Sequence, residues 1–357
     1  MPMDLGEFSD LPDALGFAPP LSPSIDSSGL LRLFGKLPPF PADFALTRGR
    51  SWNFEGLRIT SMSWSVGWGP RTEALLLVPE GAAGPWPGAL FLHSHDDVKE
   101  FGKEKVAAGT GELPPRLQWV RKEHYGGRAP ANELAKRGFA VLAYDCFMWG
   151  SRRFSEDSVP GRLREILEAE DYERLAVMHE SMVLSKYLSL FGTTLAGLLN
   201  FDDRVALAVA QGLPEISGPV SCIGLSGGGA RANYLHATSL RLGATVSVGA
   251  MATYASMIGS HVATHSWMFF PQDMAGVCDL PGLAMLGCPK PLCIQYCGQD
   301  QLFTPAGMRD AHEMIAAHYS RNGGVYRGDF YPVRHSFTEP MQEDAFDWLA
   351  GQVRGTG

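Results

Sequence analysis

The stretch Val220–Gly229, VSCIGLSGGG, decides the fold because it joins an apolar strand to a helix through a glycine-rich turn. It contains the pattern Gly-x-Ser-x-Gly, with Gly224 and Gly228 on either side of Ser226. A chain that turns so sharply from a strand into a helix brings neighbouring Cβ atoms into collision, so glycine is required at the flanking positions. Such a turn raises the serine hydroxyl above the sheet, at the positive end of the helix. We therefore predict that Ser226 is a nucleophile and not part of an ordinary glycine-rich turn.

The rest of the chain alternates in the same way between short apolar runs and helical patterns. Continuous apolar runs such as FAVLAY (residues 139–144) are typical of parallel strands that are buried on both faces. Strands are predicted at Leu57–Trp64, Ala74–Pro79, Gly88–His93, Phe139–Asp145, Val220–Leu225, Ala244–Met251, Pro291–Gly298 and Val325–Tyr331. Helices are predicted at Ala129–Arg137, Asp202–Gln211, Ala230–Leu242, Ala306–Ser320 and Glu339–Gln352. This alternation predicts an α/β fold, with a mostly parallel central sheet flanked by helices and two antiparallel strands at its edge.

Three segments fall outside this alternation. Residues 1–55 are rich in Pro, Ser and Gly and are predicted to form an N-terminal arm that packs on the core. Residues 152–200 have apolar residues three or four apart without a strand, which predicts a helical cap over the carboxyl ends of the strands. Residues 252–288 are rich in Met and aromatic residues, which either line a pocket or belong to the core. The chain is thus expected to be one catalytic domain, residues 56–357, with two cap-like insertions.

A serine nucleophile needs a base that is itself oriented by an acid. In this arrangement the acid follows the serine along the chain, and the histidine follows the acid. Asp300 stands just past the predicted strand Pro291–Gly298, and His335 lies in a loop before the last predicted helix. We predict a catalytic triad of Ser226, Asp300 and His335. Asp145 is a weaker candidate because it precedes the serine, where it would organise a loop.

A triad of this kind also requires hydrogen-bond donors for an oxyanion. One is predicted to be the backbone N–H of Gly227, and the other the backbone N–H of His95, in the loop after the strand GALFL. Asp96 and Asp97 in the same loop would oppose an anion if they faced it. They are expected to face solvent or to pair with a nearby lysine, of which the sequence offers Lys99, Lys103 and Lys105. Three aromatic residues are the candidates for lining the substrate pocket: Phe147, Trp149 and Trp267.

Together, these residues resemble the α/β-hydrolase superfamily, and in particular its dienelactone-hydrolase-like and acetyl-xylan-esterase-like branch. The resemblance extends from about residue 55 to the end of the chain, and includes Leu92–Asp97, Gly224–Gly228 and Gly298–Phe303. The loop after GALFL departs from the family pattern, because residues such as Asp96 stand where the family has glycines. The resemblance implies a serine hydrolase that cleaves carboxylic esters through an acyl-enzyme, without a metal or other cofactor.

Other classes of protein remain as alternatives. A peptidase, an amidase or a carbon–carbon bond hydrolase would use the same triad. The run HSHDD (residues 93–97) is similar to the His-x-His-x-Asp motif of metallohydrolases, but Val98 stands where that motif has a further histidine. A non-catalytic binding module is disfavoured because the three residue types of a triad stand in the expected order.

The composition narrows the partners and the compartment. The 357 residues are 45% hydrophobic and 19% charged, as in an ordinary globular protein. The net charge is −8 and no cluster of Lys and Arg stands out, so neither nucleic acid nor a membrane surface is expected as a partner. The six cysteines lie mostly in apolar runs, and the N-terminal sequence lacks the features of a secretory signal. We expect a cytoplasmic protein that acts on a small-molecule ester, and leave open a homo-oligomer.

Overall fold

The computed structural model describes residues 4–167 and 171–354, and nine strands of these residues form one sheet. In chain order the strands are β1 Thr47–Phe54, β2 Leu57–Trp64, β3 Thr72–Pro79, β4 Trp86–Leu92, β5 Ala140–Tyr144, β6 Ile216–Leu225, β7 Leu242–Val248, β8 Leu292–Cys297 and β9 Tyr326–Tyr331. Their spatial order is β1-β2-β3-β5-β4-β6-β7-β8-β9. The pairs from β1 to β5 in this order are antiparallel, and those from β5 to β9 are parallel. The predicted α/β class and mostly parallel sheet are therefore confirmed.

The edge strand β1 corrects the boundary of the predicted arm, which placed residues 1–55 outside the sheet. Thr47–Phe54 instead pairs antiparallel with β2. Its side chains are largely exposed, and its sequence, TRGRSWNF, lacks the alternation of apolar and polar residues that marks a half-buried strand. Because this strand buries little apolar surface, its pattern does not distinguish it from a loop. The antiparallel edge thus has three strands, and the arm ends near residue 46.

Helices cover both faces of the sheet. In chain order they are α1 Leu11–Ala14, α2 Ser27–Leu33, α3 Pro115–His124, α4 Pro130–Lys136, α5 Gly161–Leu167, α6 Tyr172–Met178, α7 Ser185–Phe191, α8 Leu195–Gln211, α9 Gly227–Thr238, α10 Tyr254–Met257, α11 Met274–Val277, α12 Leu280–Gly287, α13 Pro305–Arg321 and α14 Glu339–Arg354. Ile223 of β6 packs in a cluster with Leu134 of α4 and Phe346 of α14. Its neighbour Cys222 packs in another cluster with Val205 of α8. Because successive residues of β6 face apolar layers on opposite sides, the strand is a continuous apolar run.

The two predicted insertions are mostly helical. The first, residues 152–200, contains α5, α6, α7, the first residues of α8, a 3-10 turn at Glu156–Ser158 and a π-helical stretch at His179–Leu184. The second, between β7 and β8, contains α10 to α12 and a 3-10 turn at Trp267–Phe269. Residues 168–170 of the predicted cap lie outside the described residues.

The N-terminal arm packs on the helical layer through α2. Leu30 and Phe34 are fully buried, and the Phe34 ring meets the ring of Tyr234 of α9 edge-on at 5.2 Å between centroids. The Phe34 carbonyl accepts a hydrogen bond of 3.0 Å from Thr194 Oγ1, just before α8. The arm therefore contacts both the helix that follows Ser226 and the end of the first insertion.

The six cysteines are free thiols, and all but Cys288 are buried. Among residues 4–167 and 171–354, no helix combines the length and the apolar composition needed to cross a bilayer.

Candidate active site

The turn between β6 and α9 holds Ser226 with φ 58° and ψ −121°, a left-handed conformation that residues with a Cβ rarely adopt. Its backbone N–H donates to the Val248 carbonyl at 2.8 Å, which fixes the turn to β7. A Cβ on Gly224 would lie 2.4 Å from the carbonyl carbon of Gly228, and a Cβ on Gly228 would lie 2.2 Å from the Leu92 carbonyl oxygen. Close approach of backbone atoms therefore requires glycine at both positions.

Asp300 and His335 lie side by side beyond the carboxyl ends of β8 and β9. Asp300 Oδ2 accepts a hydrogen bond of 2.6 Å from His335 Nδ1, and its Oδ1 accepts one of 2.8 Å from the backbone N–H of Leu302. With a proton on Nδ1, the Nε2 atom of a neutral imidazole carries a lone pair. His335 Nε2 is buried and has no hydrogen-bond partner among the described residues. This atom is therefore free to accept a proton from a hydroxyl group placed against it.

Ser226 and His335 line the same cleft, which has a volume of about 720 Å³. The core contributes the loop after β4, the end of α3 and Leu302, and both insertions contribute other parts of the lining. From the core come His95, Asp96, Asp97, Trp119, His124 and Leu302, and from the insertions Val177, Glu180, Ser181, residues 263–267 and Phe269. The cleft thus lies between the sheet edge and the two segments that the sequence analysis singled out as insertions.

The two backbone amides predicted to bind an oxyanion lie close together. Gly227 is the first residue of α9, so its N–H has no acceptor within the helix. A Cβ on Gly227 would lie 3.1 Å from the backbone nitrogen of His95. The geometry therefore places the Gly227 and His95 backbones together, directly beside Ser226.

The carboxylates of the loop after β4 have different surroundings. The Asp96 side chain is 2% exposed, accepts a hydrogen bond from Ser94 Oγ and lies 3.4 Å from Lys105 Nζ. Burial opposes ionisation of Asp96, but the Lys105 charge and its other polar neighbours outweigh burial and lower the pKa of this carboxyl. The Asp97 side chain is 77% exposed and lies 3.3 Å from His95 Nδ1. Asp96 therefore pairs with one of the three lysines considered, and Asp97 faces solvent.

A buried ion pair between Glu180 and Lys99, which the sequence analysis missed, lies at the cleft wall, with the two side chains 5% and 0% exposed. Glu180 Oε2 also lies 3.4 Å from His95 Nε2, and its Oε1 accepts a hydrogen bond of 2.6 Å from Ser266 Oγ. Burial opposes ionisation of Glu180, but Lys99 and His95 outweigh it and hold the pKa of this carboxyl well below its ordinary value. No local pattern marks Glu180, because its partners are remote in sequence. Its one signal is a charged residue within an apolar helical pattern.

The three aromatic residues predicted to line the pocket occupy different places. Trp267 lines the cleft and is 51% exposed. Trp149 is buried outside the cleft lining, with Lys99 Nζ 3.3 Å from its ring centroid. Phe147 also lies outside the lining and packs against Trp68, at 4.9 Å between ring centroids. Both residues follow β5 near the sheet edge, but the chain there turns their rings into the protein interior.

A second cavity of about 390 Å³ adjoins the cleft, and Glu180 and Trp267 line both. Its other residues come from both insertions, and several of them are leucines or carry hydroxyl groups: Leu184, Ser185, Leu188, Ser189, Thr193, Thr194, Leu195, Phe270 and Gln272. The side chains of Glu180 and Trp267 therefore form part of the wall between the two spaces.

The side chains of the His-x-His-x-Asp run have separate partners. His93 Nδ1 contacts the Ser94 carbonyl at 3.0 Å, His95 contacts Glu180, and Asp96 pairs with Lys105. Within the described part of the chain, no group of three or more His, Cys, Asp and Glu residues is arranged to hold a metal ion.

Solved structures share the fold of this chain, although no protein-family model and no curated protein sequence matches it. A Bacteroides fragilis protein provisionally named an acetyl xylan esterase matches with a TM-score of 0.67 and 15% identity, over 94% of this chain and 83% of the other. A glucuronoyl esterase from Solibacter usitatus matches with a TM-score of 0.60 and 13% identity, over 91% of this chain and 92% of the other. For acetyl xylan esterase 1 from a Thermoanaerobacterium species, the TM-score is 0.56 at 14% identity, over 96% and 98% of the two chains. At sequence identities this low, the structural matches establish the fold and not the activity. The chain therefore has the α/β-hydrolase fold that its sequence predicts, and it shares this fold with acetyl xylan esterases, whose branch its motifs resemble.

Proposed function

We propose that the protein is a serine hydrolase that cleaves carboxylic esters, with Ser226 as nucleophile, His335 as base and Asp300 as the acid that orients the base. The observation that carries the proposal is the state of His335. Its Nδ1 is bound by Asp300, its buried Nε2 has no partner among the described residues, and His335 lines the same cleft as Ser226. An imidazole in this state is suited to take a proton from the serine hydroxyl.

In the proposed reaction, Ser226 Oγ attacks the carbonyl carbon of the ester while its proton moves to His335 Nε2. The carbonyl oxygen becomes an oxyanion, which the N–H groups of Gly227 and His95 stabilise. When the tetrahedral intermediate collapses, the bond to the alcohol oxygen breaks and the alcohol leaves with the proton from His335. Water then attacks the acyl-enzyme by the same route, which releases the acid and restores the Ser226 hydroxyl. Asp300 holds His335 in the required tautomer and stabilises its charged form.

The size of the cleft is consistent with a small-molecule substrate. Its volume of about 720 Å³ lies within the range of small-molecule sites. Several proteins that share the fold are named as esterases of acetylated xylan or of glucuronoyl groups. Esters of sugars therefore belong in the first panel of substrates, beside simple aryl esters.

The test combines labelling with turnover. A fluorophosphonate should label the wild-type protein and the Ser217→Ala control, which changes an exposed serine of β6, and should not label Ser226→Ala. His335→Ala should lower kcat for p-nitrophenyl acetate by roughly 10⁴-fold or more, because nucleophile and base act as a unit.

The substrate panel pairs each ester with the corresponding amide, and adds acetylated xylan fragments and methyl esters of uronic acids. Folded wild-type protein that is neither labelled nor active on any ester would contradict the proposal. Labelling with turnover of amides alone would overturn the assignment to esters and leave the nucleophile in place.

A further inference from the structure

A single carboxylate joins the loop after β4 to both insertions. Glu180 belongs to the π-helical stretch of the first insertion, a type of irregularity that is frequent at functional sites. Its Oε1 accepts a hydrogen bond from Ser266 Oγ of the second insertion, and its Oε2 contacts Lys99 Nζ and the His95 ring. Three of the segments that line the cleft therefore meet at one buried group.

The Lys99 side chain, which pairs with Glu180, is fully buried. Its ammonium group lies over the ring of Trp149, whose Nε1 is 3.4 Å from the His95 carbonyl oxygen. The backbone of the same loop is tied to the first insertion again, because Glu173 accepts hydrogen bonds from the N–H groups of Lys99 and Glu100. A buried ion pair contributes little net stability compared with apolar side chains, so stability alone does not account for it.

The loop contains two successive residues in a backbone conformation that is uncommon for residues with a Cβ. Asp96 and Asp97 have φ values of 55° and 53°, a region that favours glycine. From the core side, Lys105 Nζ donates to the carbonyls of Ser94 and His95, at 2.9 Å and 2.8 Å. From the cap side, Glu180 and Lys99 hold the His95 ring. The His95 backbone is thus fixed from two directions, and an oxyanion donor acts only when it is held within a fraction of an ångström.

We propose that Glu180 is a positioning residue, which holds the backbone N–H of His95 in the place where it stabilises the oxyanion. The inference rests on the proposed ester hydrolysis, and it assigns the first insertion a second role besides enclosing the cleft. Glu180 acts through Lys99 and the His95 ring and is not in contact with the reacting atoms. Its loss therefore lowers kcat and leaves substrate binding nearly unchanged.

The central variant is Glu180→Gln, which keeps the shape of the side chain and removes its charge. We expect kcat for p-nitrophenyl acetate to fall about 10- to 100-fold, as for outer-shell residues that orient metal ligands, with KM changed less than about threefold. The rate of fluorophosphonate labelling should fall by the same factor. The matched control is Glu165→Gln, the same change at an exposed carboxylate of the first insertion, which should behave as wild type.

A second variant separates positioning from a folding defect. Ser266→Ala removes one hydrogen bond of Glu180 and leaves the ion pair with Lys99 intact, so it should destabilise the protein less than Glu180→Gln does and should still lower kcat. Lys99→Met should lower kcat as Glu180→Gln does, and the double variant should be no worse than either single one, because both residues act through the same loop.

Hydrogen exchange of residues 94–99 measures positioning without any reaction. Glu180→Gln should accelerate exchange in this loop, while Glu165→Gln should not. Unchanged exchange overturns the positioning role, whether or not the protein cleaves esters. Wild-type kcat in Glu180→Gln overturns it as well, and a raised KM with normal kcat shows instead that Glu180 contacts the substrate. If the wild-type protein cleaves no ester while exchange still responds to Glu180→Gln, then the proposed function fails and the structural role of Glu180 stands.

Discussion

At the scale of single residues, Asp96 poses the sharpest problem, because it places a carboxylate in a loop that is proposed to stabilise an anion. The charge of Asp96 is balanced by Lys105, whose side chain is 0% exposed and whose Nζ lies 3.4 Å from the Asp96 carboxylate. Lys105 also donates to the carbonyls of Ser94 and His95. The pair therefore neutralises Asp96 and shapes the loop at the same time.

We expect Asp96→Asn to destabilise the protein by about 3 kcal/mol at pH 7, because the Lys105 charge would stay buried without its counter-charge. The pKa of Asp96 is lowered in the folded protein, so its ionised form contributes stability that is present above the unfolded pKa, near 4, and is lost as the pH falls through the folded pKa. The difference between variant and wild type should thus be largest between pH 5 and pH 7 and should narrow below about pH 4. Urea unfolding of both proteins at several pH values between 3 and 7 measures this difference in the free energy of unfolding.

Asp97→Asn is the matched control, because its carboxylate is 77% exposed. It should change the free energy of unfolding by no more than about 0.5 kcal/mol at pH 7. Equal stability of Asp96→Asn and wild type at pH 7 would show that the pair with Lys105 does not stabilise the fold.

At the scale of elements, the two insertions meet at the wall between the cleft and the second cavity. The 3-10 turn Trp267–Phe269 places the half-exposed ring of Trp267 in the lining of both spaces. Beyond it, the cavity of about 390 Å³ presents Leu184, Leu188 and Leu195. In the proposed reaction, the acyl or alcohol chain of the ester would therefore be limited on this side by the side chains of Trp267 and Glu180.

Trp267→Ala should join the two spaces and shift preference toward longer esters. Each additional methylene group that becomes buried is worth about 0.8 kcal/mol, or roughly fourfold in kcat/KM. We therefore expect the ratio of kcat/KM for p-nitrophenyl octanoate to that for p-nitrophenyl acetate to rise by about tenfold or more.

Trp119→Ala is the control for this prediction, because Trp119 lines the cleft but lies outside the lining of the second cavity. The ratio of kcat/KM for p-nitrophenyl octanoate to that for p-nitrophenyl acetate should stay nearly as in wild type. An unchanged ratio in Trp267→Ala would mean that the ring does not separate the two spaces.

The same elements show what a sequence pattern can and cannot predict. The strand β2 has the predicted bounds, and β6 ends at the predicted residue. The second half of β6 is a continuous apolar run because it is buried between two helical layers. The strand β1 was not predicted, because an exposed edge strand has no apolar run or alternation of apolar and polar residues. Chain order and strand ends were enough to place Asp300 beside His335, as the short contact between them shows. They were not enough for Glu180, whose partners come from segments remote in sequence.

At the scale of the whole molecule, the N-terminal arm packs against α8 and α9, two helices that are remote from it in sequence. Its residue Phe34 is fully buried against Tyr234 of α9, the helix that begins after Ser226. A Cβ on Gly197 would lie 2.8 Å from the Phe34 Cβ, so α8 also packs closely on the arm. Next to it, Lys36 N donates to the Gly192 carbonyl at 2.7 Å. The arm is therefore expected to unfold together with the core and the first insertion.

Phe34→Ala tests this cooperativity, because it removes a buried ring where the arm, α8 and α9 meet. We expect the free energy of unfolding to fall by about 3–5 kcal/mol, the usual cost of truncating a buried phenylalanine. Circular dichroism and tryptophan fluorescence should report one common transition at lower urea, since a contact shared by all three segments weakens the whole unit. Phe8→Ala, at a side chain that is 72% exposed, should change the free energy of unfolding by no more than about 0.5 kcal/mol. A separate early transition in Phe34→Ala, with the main transition unmoved, would instead show that the arm folds independently of the core.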